Sequence, residues 1–177
     1  MALAPLRCPL LLAAIAGTAH GAPSRWEWAG AFPLVAGEKY TWSSVRASEG
    51  AYADPDMKVL VMQMDGDLVG MEAAALEQWN RPEADWANLT LGSSSRLGAS
   101  TPVRMVFSDD TWASFYLFQP DASGNFAFFT QHFPYEFEVE FHFLRNRRGE
   151  NIEPVEESPA FGAGHGGGDI WLAAGSA

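Results

Sequence analysis

Two stretches of the sequence hold the side chains best suited to chemistry. In Thr130–Glu136 (TQHFPYE), His132 precedes Glu136 by four residues across a turn set by Pro134. Imidazole nitrogen and carboxylate oxygen are both good ligands for zinc. In Phe137–Leu144 (FEVEFHFL) the strict alternation predicts a strand. It puts Phe137, Val139, Phe141 and Phe143 on one face and Glu136, Glu138, Glu140 and His142 on the other. Carboxylates two apart on such a face sit about 7 Å from each other and repel by roughly 0.6 kcal/mol per pair in water. A bound divalent cation relieves that repulsion, with Glu140 and His142 converging on one ion; pairing with Arg145, Arg147, Arg148 or Arg104 also relieves it, as does solvation alone. His132 has aromatic neighbours (Phe128, Phe129, Phe133, Tyr135) and so also reads as a core histidine.

Other candidates carry less. His165 and Asp169 in the Gly-rich GHGGGD stretch suit a cation-capturing tail or a plain linker. Met62 and Met64 can be thioether ligands for cuprous copper, although methionines in a strand usually belong to a core. Asp54, Asp56, Asp65 and Asp67 offer hard oxygens for calcium but lack the EF-hand order and its closing Glu. Enzymatic readings have no anchor: Ser43, Ser44 and Ser93–Ser95 lack a GxSxG context, and residues 162–168 lack the Lys-Ser/Thr ending of a phosphate loop. No carboxylate pair stands out for glycoside hydrolysis. We therefore expect a non-enzymatic protein.

The elements that must position these residues are bounded by composition. The 177 residues, 47% hydrophobic and 13% aromatic, suit one domain with a sizeable core. With 22 acidic against 11 basic residues, the net charge of −11 argues against a nucleic-acid partner and favours cations or basic partners. Residues 1–21 read as a signal peptide: Arg7, then the apolar run Leu10–Ala16, then the small residues of Thr18–Ala22. Its removal takes Cys8, the only cysteine, which excludes disulfides and thiolate metal sites from the mature chain. No other apolar run approaches 18 residues, so the protein is expected to be periplasmic or secreted and not membrane-embedded.

Strands are predicted at Glu38–Val45, Met57–Met64, Val103–Phe107, Trp112–Phe118, Asn125–Gln131 and Phe137–Leu144, with short ones at Asn88–Leu91 and Asn151–Val155. Residues 22–37 lack periodicity and read as a lead-in ending in a turn at Gly37. Met71–Trp79 (MEAAALEQW) is the one helical stretch. The fold class is mostly β: a single-domain β-sandwich of about seven strands, Greek-key-like, over residues 22–157, with one short helix and a Gly-rich tail at 158–177.

The blocks EKYTWSSVRASEGAYADPDMKVLVMQ and NFAFFTQHFPYEFEVEFHFLRNRRGENIEPVEES together cover about 60 of 177 residues. They resemble a group of small exported β-rich proteins with a YTW strand, an AYADPxMK turn and an FFTxHxPxEF block before a GExIEP segment. Members often end in a His-rich tail, and many lie beside genes for zinc uptake or metal-chaperone GTPases. The resemblance implies a periplasmic role in metal handling, with His132 and Glu136 in the site and His165 as the one remnant of the tail. The leading expectation is thus a divalent metal site, zinc first, on His132, Glu136, Glu140, His142 and His165, with a metal transporter or another envelope protein as partner. The alternative is a non-catalytic interaction module that recognises a protein or carbohydrate through an aromatic surface of Trp26, Trp28, Trp112 and Tyr116.

Overall fold

A computed structural model describes residues 25–46, 52, 54–139 and 141–159. Residues 1–21, read above as a signal peptide, Glu140, His165 and the Gly-rich stretch beyond 159 lie outside the described residues. The described residues are mostly β, with two sheets and one α-helix, the arrangement of a single-domain β-sandwich with a short helix. Ten strands are described: β1 (Trp28–Leu34), β2 (Tyr40–Val45), β3 (Asp56–Gln63), β4 (Ala87–Leu89), β5 (Ser94–Leu97), β6 (Ser100–Val106), β7 (Ala113–Pro120), β8 (Gly124–Thr130), β9 (Leu144–Asn146) and β10 (Glu156–Ser158). The larger sheet has the order β10-β1-β8-β3-β6-β4 and the smaller β5-β7-β2-β9. No described strand pairs with its neighbour in sequence, so every ladder is built from chain-distant segments. Pairing is antiparallel except for β4 with β6 and β5 with β7.

The larger sheet is covered on both sides. Its inner face sends Trp28, Phe32, Val59, Val61, Phe126 and Phe128 against Trp42, Tyr116, Phe118, Phe143 and Leu144 of the second layer. Its outer face packs Ala29, Ala31, Leu60, Met62, Ala127 and Phe129 under α1 (Leu68–Trp79). That helix buries Leu68, Met71, Ala75 and Trp79, one stripe at helical spacing. It starts where Asp67 accepts the Gly70 N–H at 2.8 Å. Met62 is thus core, and Asp67 is a helix cap. Asp56 lies 3.8 Å from Arg104, so the aspartates around Pro55 and Gly66 serve separate ends.

Several elements differ from the sequence expectation: β5 adds a strand beyond the one expected at Asn88–Leu91, and the last strand is β10, not Asn151–Val155, where Asn151 makes only an isolated bridge to Arg145. Two further differences bear on the sites. The lead-in segment contains β1, which is buried on both faces, so the pattern WAGAFPL shows no polar alternation. Pro33 falls past Ala31, the last β1 residue paired with β10, where β1 keeps only β8 as a neighbour. Gly30 is needed there because the Trp28 indole folds over it: a Cβ would stand 2.6 Å from Trp28 Cζ2. The second difference is at 137–144. Pro134 opens a 3-10 turn over Pro134–Phe137, and regular pairing resumes only at Leu144. Phe137 and Phe143 enter the core as expected, but Val139 is 56% exposed and Phe141 is only half-buried.

Candidate functional site

His132 sits where three neighbouring strands of the larger sheet end together, since Thr130 registers with both Trp28 and Val59. The Thr130 hydroxyl donates to the His132 carbonyl at 2.6 Å and fixes the turn. The ring's Nε2 lies 2.9 Å from Asp54 Oδ2, and its Nδ1 lies 3.8 Å from Glu27 Oε2. The Asp54 approach has the distance of a hydrogen bond but not its direction, which leaves Nε2 without an aligned partner. Asp54 and His132, distant in sequence, therefore meet in space. The lone pairs of the two ring nitrogens diverge, so an ion on Nε2 would take Asp54 and not Glu27. That arrangement offers two protein donors, short of the three or four of a closed zinc site.

His142 is built differently. Its Nδ1 pairs with Glu138, and its Nε2 lies 3.0 Å from the Ile152 carbonyl, with Glu153 Oε2 at 3.8 Å. Glu138 Oε1 also accepts the Phe143 N–H at 3.0 Å. Instead of lining one face of a strand, Glu138 and His142 thus close a clasp across an irregular loop, with a spacing of four residues. Both ring nitrogens face acceptors, an arrangement only the doubly protonated ring satisfies. Burial opposes that charge. The hydrogen bond and charge of Glu138, the Ile152 carbonyl and the charge of Glu153 outweigh it and raise the His142 pKa above the ordinary 6.5. A ring held by two N–H donations has no lone pair for a metal.

Of the five residues expected to bind zinc, His132 and His142 thus occupy separate settings. Glu136 lies exposed on the 3-10 turn, and Glu140 and His165 fall outside the described residues. Among the described residues, no three of His, Cys, Asp and Glu lie together so as to hold a metal ion. The aromatic set needs correction as well. Trp26, Trp28 and Tyr116 are buried, Trp28 and Tyr116 completely, because the inner faces of both sheets and the helix layer absorb them.

Trp112 is the exception, at 53% exposure. It sits just before β7, its carbonyl accepting the Arg46 N–H, and it reaches the face of the smaller sheet that turns away from the core. That face carries Thr41 and Ser43 of β2, Phe115, Leu117 and Gln119 of β7, and Arg145 of β9; Thr41 registers with both Leu117 and Arg145, and Ser43 with Phe115. The Trp112 ring lies 5.7 Å from Phe141 and 6.5 Å from Phe115. The Arg145 guanidinium lies 4.6 Å over the Phe141 ring and donates to Ser43 Oγ at 3.1 Å. Phe141 also borders an open concavity of about 310 Å³ lined by Glu138, Val139, His142 and Asn151.

No family model, curated protein or solved structure matches the chain. Its chemistry is therefore read from these side chains. Sequence reasoning missed Phe115, Phe141 and Arg145 as one group because they meet only through pairings across the sheet. It also missed the partnership of Glu138 with His142, although their spacing of four was visible.

Proposed function

We propose that this protein is a non-catalytic binding module that takes carbohydrate on the outward face of its smaller sheet. The observation that carries the reading is Trp112, more than half exposed and in ring contact with Phe115 and Phe141, on a sheet face that also carries Thr41 and Arg145. A sugar ring presents an apolar C–H face to an aromatic surface and a rim of hydroxyls to donors and acceptors around it, the mix found here. A peptide adding as a strand is a poorer fit. The edges of this sheet are β5 and β9, four and three residues long, and offer little ladder to extend. The leader-like composition of residues 1–21 supports a periplasmic or secreted setting, where glycans are accessible.

The test is retention on a panel of immobilised neutral and acidic oligosaccharides, for wild type, Trp112→Ala and Phe141→Ala. The reading expects at least one glycan to be held and the Trp112 variant to lose at least tenfold in affinity with its melting curve unchanged. Retention by no glycan, or equal retention by the Trp112 variant, rejects it.

A second reading, zinc held at His132 with Asp54 in place of Glu136, Glu140 and His142, is supported by the 2.9 Å approach of Asp54 Oδ2 to an Nε2 without an aligned hydrogen bond. A transporter or other envelope protein would be its partner. Calorimetric titration of chelator-stripped protein decides it. His132→Ala and Asp54→Ala should each weaken zinc binding at least tenfold, whereas weak binding shared by zinc, nickel and calcium in every variant marks only counterion attraction to a chain of net charge −11.

A further inference from the structure

Arg145 has no ion-pair partner among the described residues, in a chain with 22 acidic side chains and only 11 basic ones. The arginines of the turn after β9 do find carboxylates: Arg147 lies 3.4 Å from Glu38 and Arg148 2.9 Å from Glu150. Across the same sheet, Arg96 pairs with Asp121. Arg145 is held instead by a ring and a hydroxyl, Phe141 at 4.6 Å and Ser43 Oγ at 3.1 Å; its Nε is shut off from solvent and has no acceptor, while the residue as a whole stays partly exposed. These contacts orient the guanidinium without neutralising it. A partly desolvated cation with no carboxylate partner among the described residues, in a chain where carboxylates outnumber cations two to one, is poised for an anion from outside the chain.

Resting on the carbohydrate reading, we infer that the sugar is a uronic acid, whose carboxylate docks on Arg145 while its ring lies against Trp112 and Phe141. Phe141 touches both the Trp112 ring and the guanidinium, so the apolar and charged halves of such a sugar find their partners side by side. A guanidinium matches a carboxylate with two parallel N–H donations, which a sugar hydroxyl cannot duplicate. The net charge of −11 repels an acidic polymer at long range, so recognition depends on this local contact.

The experiment is calorimetric titration with trisaccharides of galacturonate, glucuronate and mannuronate, each as free acid and as methyl ester, with a neutral trisaccharide panel as reference. The ester keeps the ring and removes the charge. The inference expects at least one acid to bind tenfold or more tightly than its ester. It further expects Arg145→Gln to bring acid and ester to within twofold of each other, and Arg145→Lys to restore only part of the difference. Equal binding of acid and ester by the wild-type protein overturns the inference and leaves the carbohydrate reading standing. Binding of no acid, ester or neutral sugar overturns both. The comparison of acid with ester uses unmodified protein, so it decides the matter even where Arg145→Gln fails to fold.

Discussion

The clasp at His142 makes stability depend on pH in a direction opposite to that of a salt-bridged carboxylate. Its pKa is raised on folding, so below the unfolded value near 6.5 the ring is charged in both states and the clasp contributes fully. As pH rises through and past 6.5 the unfolded chain loses its proton while the folded chain keeps it, and the contribution fades until pH passes the folded pKa. The side chain is 7% exposed and makes a charge-assisted bond to Glu138, which is 25% exposed. A hydrogen bond of this type contributes about 1.5–3 kcal/mol, and Glu153, 68% exposed at 3.8 Å, adds little. We expect His142→Leu to cost about 2 kcal/mol at pH 6, roughly 4–8 °C in Tm for a chain of this size, and distinctly less at pH 9. Urea unfolding of wild type and variant across pH 5.5–9 reads the difference and cancels titrations common to both. Glu138→Gln keeps an acceptor for the Phe143 N–H and removes the charge, so it should flatten the pH dependence. A cost independent of pH, or one growing with pH, would refute a charged clasp.

Other outcomes follow from the packing. Gly30→Ala brings a methyl group into the Trp28 indole, which is wedged against Phe32, Tyr135 and Phe143, and should destabilise by about 1–3 kcal/mol in chemical denaturation; a neutral substitution would mean the indole is free to move. Asp67→Ala removes the side-chain cap of α1 and should cost about 1 kcal/mol, with Asp67→Asn close to wild type. Phe128→Ala empties a fully buried position stacked on Trp42 and should cost about 3–5 kcal/mol by the same measurement.

The fold class was legible because β2, β3, β6, β7 and β8 alternate or run apolar between turn residues, and because α1 is the one stretch rich in Ala, Leu and Glu. What failed were patterns read locally that tertiary context overrides. WAGAFPL hides a strand because both of its faces are buried, and FEVEFHFL imitates one although Pro134 has already turned the chain. Burial was equally illegible for single aromatics. Trp28 and Trp112 have similar neighbours in sequence, and only the layer each meets separates a core anchor from an exposed ring. At the sites, the acidic neighbours of His132 come from other strand ends, Asp54 and Glu27, and not from Glu136, the partner that its local sequence suggests. The grouping of Trp112, Phe141 and Arg145 depends on β2 lying between β7 and β9, an order that no local pattern encodes.

Mapping of amide and aromatic NMR shifts while the best-retained oligosaccharide is titrated in shows whether a glycan occupies the outward face of the smaller sheet. The responding residues should be Trp112, Phe115, Leu117, Phe141, Arg145 and Thr41, which share that face, with α1 and the His132 turn unmoved. Shifts concentrated instead around His132, Asp54 and Glu27, or on the helix layer, would contradict the carbohydrate reading.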